Sequence, residues 1–501
     1  MDRANPILGI DFGTTNTSAA WFDETGKLRI VPVNDRSNIL PSVVWFHTAE
    51  KTVVGHAARS QIVEDPKNTI YEGKRFLTRR YKSEFVARNR DRFAFEIVDG
   101  PDGYCAAKVR GATVPFMDVA ALVIDHIATL AAHAAGKPFK DCVITVPVHA
   151  SFRQRAAMRL AAERTGLDVR AIVNEPTAAA LYYANLRHPQ STVLVFDLGG
   201  GTFDATLMSL KSKQVRVLAA GGDAFLGGSN FDSAVVAHLS QRFRDKTGIE
   251  LSESRVVMQR LAFAAESAKI ALSSKEETRV RIPCVVQRDG QFIDLDEVLT
   301  RTQLEDLVAP LIERSIGACE DVLAKAGVTA AQVDELVLVG GQTRMPAVRK
   351  RLTHFKRFSE EREVHPELGV CIGAAILGRN LNRGTVGLTD VTPMSISVMM
   401  PGGVTFEAIP PNTPVPSRRK IIIEGLPPWQ APIPLAIFEA VDSAAIDREV
   451  FGTVMIGPEF RVKGAPTLHL DLAPDFKLKA KLSTGNGPET AVPIVEVKAG
   501  R

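Results

Sequence analysis

The segment Thr192-Val193-Leu194-Val195-Phe196-Asp197-Leu198-Gly199-Gly200-Gly201-Thr202-Phe203-Asp204 decides the fold. Its unbroken apolar run reads as a strand buried on both faces. Three consecutive glycines end that strand, and Phe203 opens a return strand over 203–210. Glycine lets backbone N–H groups approach an anion with no Cβ in the way, so a glycine turn flanked by Asp and Thr suits a phosphate group. The same unit stands near the N-terminus. There a strand over 7–11 ends at Asp11-Phe12-Gly13-Thr14-Thr15-Asn16 and returns over 18–22. Two copies of one strand–turn–strand unit predict two similar lobes facing one another across a cleft. A third glycine turn, Gly340-Gly341-Gln342-Thr343-Arg344, follows an aliphatic strand over 336–339.

The chemistry follows from these turns. Asp11 and Asp197 are expected to face one another across bound phosphates and to hold Mg²⁺ through its waters, because Mg²⁺ dehydrates reluctantly. Metal and amides together would neutralise charge on a phosphoryl group as it transfers. Neither turn fits the pattern G-x-x-x-x-G-K-[ST], and no G-x-G-x-x-G opens a helix. A P-loop and a dinucleotide fold are thereby excluded.

Working outward, strands alternate with helices as far as about residue 383. Helices are expected over 118–135, 152–165, 254–272 and 304–326, and buried or short strands over 28–33, 43–46 and 141–146. Beyond Thr392 proline becomes frequent and period-two alternation dominates, as in 468–472 and 477–482. The division is a two-lobed α/β domain over 1–384, a connection over 385–391 and a small all-β sandwich over 392–501. The 501 residues carry a net charge of +4, too dilute for a nucleic-acid footprint. Even the cluster Arg418-Arg419-Lys420 reads as a solvated strand entry. Cys105, Cys142, Cys284, Cys319 and Cys371 stand far apart with no C-x-x-C pair, which suits a reducing compartment. The longest apolar stretch, 119–135, is interrupted by Asp125, His126 and His133 and reads as a buried helix. No nucleic-acid or membrane partner and a cytoplasmic location are expected.

Four motifs carry a resemblance. Ile10-Asp11-Phe12-Gly13-Thr14-Thr15-Asn16, Asn174-Glu175-Pro176-Thr177-Ala178-Ala179-Ala180, Phe196 to Asp204 as quoted, and Gly340-Gly341-Gln342-Thr343-Arg344-Met345-Pro346 resemble the DnaK-type seventy-kilodalton heat-shock chaperones. The match runs in order over 7–375 and continues more weakly through Asp390-Val391-Thr392-Pro393 into the β region. That family shares the actin and sugar-kinase fold, and the resemblance implies an ATPase that regulates binding of extended apolar polypeptide. It implies ATP or ADP, Mg²⁺ and K⁺ as cofactors, and a J-domain co-chaperone and a nucleotide-exchange factor as partners.

The resemblance also implies residue roles. Asp11, Asp197 and Asp204 match metal-site carboxylates, and Lys74, Glu175, Asp197 and Thr202 match the catalytic set. Gly13, Thr14, Thr15, Asn16, Gly199, Gly200, Gly201 and Thr202 match the phosphate turns. The adenosine side would be Glu266, Lys269 and Ser273, on one helix face by spacing, with Gly340, Gly341 and Arg344. Without the resemblance, Lys74 and that trio read as solvated surface. Pro147, Arg155 and Asp390 match residues that couple the ATPase to the substrate domain.

Three departures are visible. The connection, Thr385-Val386-Gly387-Leu388-Thr389-Asp390, lacks most of the family's apolar run, which predicts weakened docking onto the ATPase lobe. A proline-rich loop over 425–432 stands where a polar loop arches over peptide, and Val398, Met400, Leu435 and Ile437 are the candidate groove residues. Their alternation equally fits sandwich core. The sequence stops at Arg501, before the family's helical lid, which predicts a lidless member that releases peptide fast. Two other functions stay open. One is a nucleotide-dependent scaffold or co-chaperone without peptide cycling; the other is a small-molecule kinase of the same superfamily.

Overall fold

The computed structural model describes residues 5–186, 190–211, 214–355, 365–385, 388–400, 402–424, 426, 431–440, 449–460, 464–485 and 487–495. The decisive segment forms the strand Ser191–Leu198, whose side chains divide by the two-residue period of a strand. Leu194, Phe196 and Leu198 enter one hydrophobic core, while Val193 and Val195 enter another. Cover on both faces is why the run is apolar throughout. The strand pairs antiparallel with Phe203–Lys211, placing Asp197 opposite Asp204, and parallel with Glu335–Val339. The N-terminal copy pairs the same way. Ile7–Phe12 runs antiparallel to Asn16–Phe22 and parallel to Asp141–Val146. The duplication seen in the sequence is thus a duplication of strand pairing.

Two sheets result. The first lobe orders Asp168–Asn174, Asp141–Val146, Ile7–Phe12, Asn16–Phe22 and Leu28–Ile30. The second orders Glu335–Val339, Ser191–Leu198, Phe203–Lys211, Gln214–Asp223, Leu388–Val391 and Pro414–Val415. The helix expected over 118–135 spans Phe116–Ala135 and packs Val119, Val123, Ile124 and Ile127 into the first core. Among the described residues it is the one helix long and apolar enough to cross a membrane, by length and composition.

Two helices, Glu175–Leu186 and Gly369–Asn382, cross between the lobes. Their contact is built from small residues: Ala178, Ala179, Ala374 and Ala375 are fully buried. A Cβ on Gly373 would overlap the Ala178 carbonyl, so the two backbones meet only because that position is glycine. The helix that opens with Glu175 therefore ties a predicted catalytic residue to the lobe junction.

The segment read as a connection is ordered as a strand. Leu388–Val391 joins the second-lobe sheet, with Val215 opposite Leu388 and Arg216 opposite Thr389, and its other edge pairs with Pro414–Val415. Docking here rests on backbone pairing, which does not need the missing apolar run; Val386 and Gly387 lie outside the described residues. The β region stacks two four-stranded sheets, Thr405–Ile409, Ser395–Met399, Ile433–Ala440 and Glu449–Ile456 over Ser417–Ile422, Pro466–Leu472, Leu478–Thr484 and Thr490–Val492. Of the proline-rich loop, only Leu426, Ala431 and Pro432 are among the described residues.

Candidate nucleotide site and interdomain contact

The two glycine turns close in the same way. Gly13 N–H donates to the Asn16 carbonyl at 2.9 Å, and Gly199 N–H donates to the Thr202 carbonyl at 3.2 Å. They face one another directly. A Cβ on Gly200 would overlap Thr15 Oγ1, and one on Gly201 would lie 2.8 Å from Thr14 Oγ1. The third turn comes up beside them: Gly340 has φ +83°, and a Cβ there would overlap the Leu198 carbonyl. These approaches leave a cavity of about 90 Å³ whose walls include Asp11, Asn16, Lys74, Glu175, Asp197 and Gly341.

Lys74 enters the cleft from the short helical turn Gly73–Phe76, and its side chain is 9% exposed. Its Nζ donates to Glu175 Oε1 at 2.8 Å and to the Phe12 carbonyl. Thr145 Oγ1 donates to Asp11 Oδ1 at 2.8 Å. Burial first, then the Glu175 charge, pushes the Asp11 carboxyl up to about 7. Burial and then Glu175 also raise Asp197 and Asp204 well above the ordinary carboxylate range. Both Asp204 carboxylate oxygens are buried, and only the backbone groups of Val148 and His149 come near enough to favour their charge by hydrogen bonding. Four carboxyl groups, Asp11, Glu175, Asp197 and Asp204, thus share one lysine.

Such a set fits hard cations. Its donors are all oxygens, and cation charge would let the acids ionise where burial alone opposes it. Among the described residues no three His, Cys, Asp or Glu side chains are grouped to ligate a metal directly.

A fourth glycine contact was not read from the sequence. Gly228 and Ser229 N–H groups donate to the Gly199 and Gly200 carbonyls, both at 2.9 Å, where the helix Gly228–Thr247 begins. The run Leu226-Gly227-Gly228-Ser229-Asn230 was the available signal. Lys269 is buried, bonded to the Gly228 carbonyl at 3.1 Å and paired with Asp232 at 2.9 Å. Glu266 pairs with Arg59 of the other lobe at 2.7 Å, and Arg344 with Glu367 at 2.7 Å. Ser273 caps the helix Arg255–Leu272 at its C-terminal end. None of Glu266, Lys269, Ser273 and Arg344 lines the phosphate cavity, whereas Gly340 and Gly341 do.

The family model described as Hsp70 protein matches residues 7–469. The chain belongs to the Hsp70 family. It is 38% identical over 465 residues to the chaperone protein DnaK of Thermus thermophilus, covering 92% of this chain and 74% of that protein. Against the mitochondrial heat shock 70 kDa protein of Dictyostelium discoideum it is 34% identical over 467 residues, 93% of this chain and 71% of that protein.

In this Hsp70 the ATPase lobes and the β region touch through a buried polar chain. The Arg155 guanidinium donates to Asn174 Oδ1 at 2.7 Å and to the Ala150 and Val148 carbonyls. Asn174 Nδ2 and Thr177 Oγ1 donate to Asp390 Oδ2 at 3.0 and 3.3 Å. Phe476 of the β region lies 4.2 Å beneath the guanidinium. Burial lowers Arg155 to about 10, with Asp390 the leading opposing charge, and burial raises Asp390. Asn174 precedes Glu175, so the chain of contacts ends one residue from the cleft. Pro147 stands half-buried at the start of the same segment.

Further contacts hold the β region to the helix Phe152–Glu163. Phe152 N–H donates to Glu439 at 2.8 Å, its ring lies 5.1 Å from Phe451, and Arg153 donates to the Val450 carbonyl at 2.6 Å. Sequence reading missed Phe152, Glu439, Phe451 and Phe476; no local pattern marks a residue whose partner lies in another domain. Val398, Leu435 and Ile437 are fully buried in the sandwich core, and Met400 packs half-buried against it.

Proposed function

We propose that the chain is organised as an ATPase domain over 1–384, a coupling strand over 385–391 and a substrate-binding β domain over 392–501, and that it cycles extended apolar polypeptide. Hsp70 membership makes it an ATP-dependent chaperone and an ATPase; the residue assignments are the proposal. The observation that carries it is the paired glycine turns, with Thr15 against Gly200 and the Lys74–Glu175 ion pair beneath them.

In this reading the amides of the turns and the hydroxyls of Thr14, Thr15 and Thr202 bind the phosphates. Mg²⁺, with K⁺ nearby, neutralises phosphate charge when bound. Asp11, Asp197 and Asp204 would hold those cations, whose charge would favour their ionised form. Lys74 places its ammonium beside the transferring group, where charge develops. Glu175 and Thr202 hold the attacking water in line. Glu266, Lys269, Ser273 and Arg344 would contact the adenosine once it enters. Movement of Glu175 shifts Asn174, and with it the Arg155–Asn174–Asp390 chain that the β domain rests on. The implied partners are unfolded clients, a J-domain co-chaperone and an exchange factor, in the cytoplasm.

The test is single-turnover hydrolysis with Mg²⁺ and K⁺, beside Lys74→Ala. Turnover that Lys74→Ala abolishes while nucleotide still binds is the expected result; unaltered turnover in that variant contradicts the site assignment. A second reading, a nucleotide-dependent scaffold, is favoured by the burial of Val398, Leu435 and Ile437, which presents no apolar groove at those positions. Stable peptide binding decides between them.

A further inference from the structure

Behind the phosphate turns lies a second cavity of about 70 Å³ that the reading above does not use. Thr14, Lys74 and Thr202 line both cavities, so the floor of the nucleotide cleft is the inner wall of this one. Its inner end also carries Asp204, and its sides carry Pro147 and His149. The His149 ring is buried, and its nearest hydrogen-bonding group is the Gly221 backbone. A ring so placed keeps one nitrogen for a polar visitor.

The outer end is a contact between the lobes. Phe85, from the first lobe, lies 5.4 Å from Phe225 in the second, and the Arg79 guanidinium covers both rings at 4.9 and 5.7 Å. Phe225 is 46% exposed, so this contact is the outer surface. The basic groups along the way are Lys74, paired with Glu175, Arg75, paired with Glu72, and Arg79, beside the acid Asp204. Guanidinium N–H donors suit a phosphate oxyanion.

Hydrolysis breaks the terminal phosphoryl bond with water and leaves ADP and inorganic phosphate. The phosphate forms at the wall marked by Lys74 and Thr202, while ADP fills the cleft on the adenosine side. The Arg59–Glu266 ion pair joins the lobes on that side. Phosphate leaving by the front would have to wait for ADP.

We infer that the second cavity is the exit passage for inorganic phosphate, with His149 a station along it and Phe85, Phe225 and Arg79 its gate. The inference rests on the ATPase assignment and adds the route of one product. Pro147 and the helix Phe152–Glu163, which contributes Gln154 and Met158 to the cavity, also adjoin the interdomain contact. Movement of the β region against that helix would therefore reach the passage walls.

The test uses the full chain in two arms. In single turnover with ATP, acid quench reports hydrolysis while a fluorescent phosphate sensor reports release. Separately, radiolabelled phosphate is added to ADP-loaded protein and its rate of entry is measured, with ADP dissociation followed in parallel. Phe225→Ala should speed phosphate entry about tenfold and Met158→Trp should slow it by a similar factor, as for other gated product steps, with hydrolysis and ADP dissociation within about twofold of the parent. Entry rates that ignore both substitutions, or that follow ADP dissociation, overturn the passage. Absence of hydrolysis in the quench arm would count against the ATPase assignment instead, and the entry arm would still decide the route.

Discussion

The nucleotide cleft and the β region bury different things. In the cleft, four carboxyl groups, one lysine and three glycine turns come together from distant parts of the chain, and burial opposes the charge that the three aspartates would carry. In the β region, two sheets bury Val398, Leu435, Leu468 and Leu470 against one another and satisfy their side chains by packing alone. Buried polar groups that are costly without a ligand point to the ligand; buried apolar groups point only to a core. The contact between the two regions combines both habits, with the Arg155–Asn174–Asp390 chain beside the Phe152–Phe451 ring pair.

The largest expected effect lies in the cleft. Lys74→Ala should lower single-turnover hydrolysis by about 10²–10³-fold, the usual loss for one charge-stabilising donor, with nucleotide affinity largely kept. A comparable loss from a β-region change such as Val398→Ala would break the contrast. Gly200→Ala comes next. Its new Cβ would push Thr15 away, and displacement of a reacting group by about 1 Å costs on the order of 10²-fold in rate.

At the contact, Arg155→Ala removes one partner of a buried charged set and leaves Asp390 among neutral groups. Such losses cost about 3–5 kcal/mol, read as a lower denaturant midpoint. Phe451→Ala removes one aromatic pair, about 0.5–1.5 kcal/mol, and should loosen the β region without lowering basal hydrolysis. Protease sensitivity between the domains would report that loosening.

A further effect is in pH. Burial pushes Asp232 up to about 6 despite its Lys269 partner. Between the ordinary carboxylate value and that one, the folded protein holds a proton that the unfolded chain has lost. Stability should therefore fall as pH rises through that window, by on the order of 2 kcal/mol, and level off above it. Asp232→Asn should flatten the slope in denaturant titrations taken across it.

Much of this was legible in the sequence, for a physical reason. Asp11, Gly13, Asp197 and Gly199 to Thr202 sit on adjacent positions of two turns, so spacing alone exposes them. Lys74 and Arg155 were visible only through family resemblance, because a lone basic residue has no local pattern to distinguish burial from exposure. Thr145, Gly228, Asp232 and Phe476 were not visible, since each acquires its role from a partner far away in the chain. The docked strand Leu388–Val391 was misjudged from its side chains, when backbone pairing with Gln214–Asp223 holds it. Alternation in the β region gave strands but left groove and core equivalent, and the burial of Val398 and Leu435 places them in the core.

The most direct test follows single-turnover ATP hydrolysis by the full chain with and without excess extended apolar peptide, in the parent and in Asp390→Ala. Peptide-accelerated hydrolysis in the parent, lost in Asp390→Ala with the basal rate retained, is the predicted result. A parent rate indifferent to peptide that nonetheless binds would contradict coupling through the Asn174–Asp390 contact.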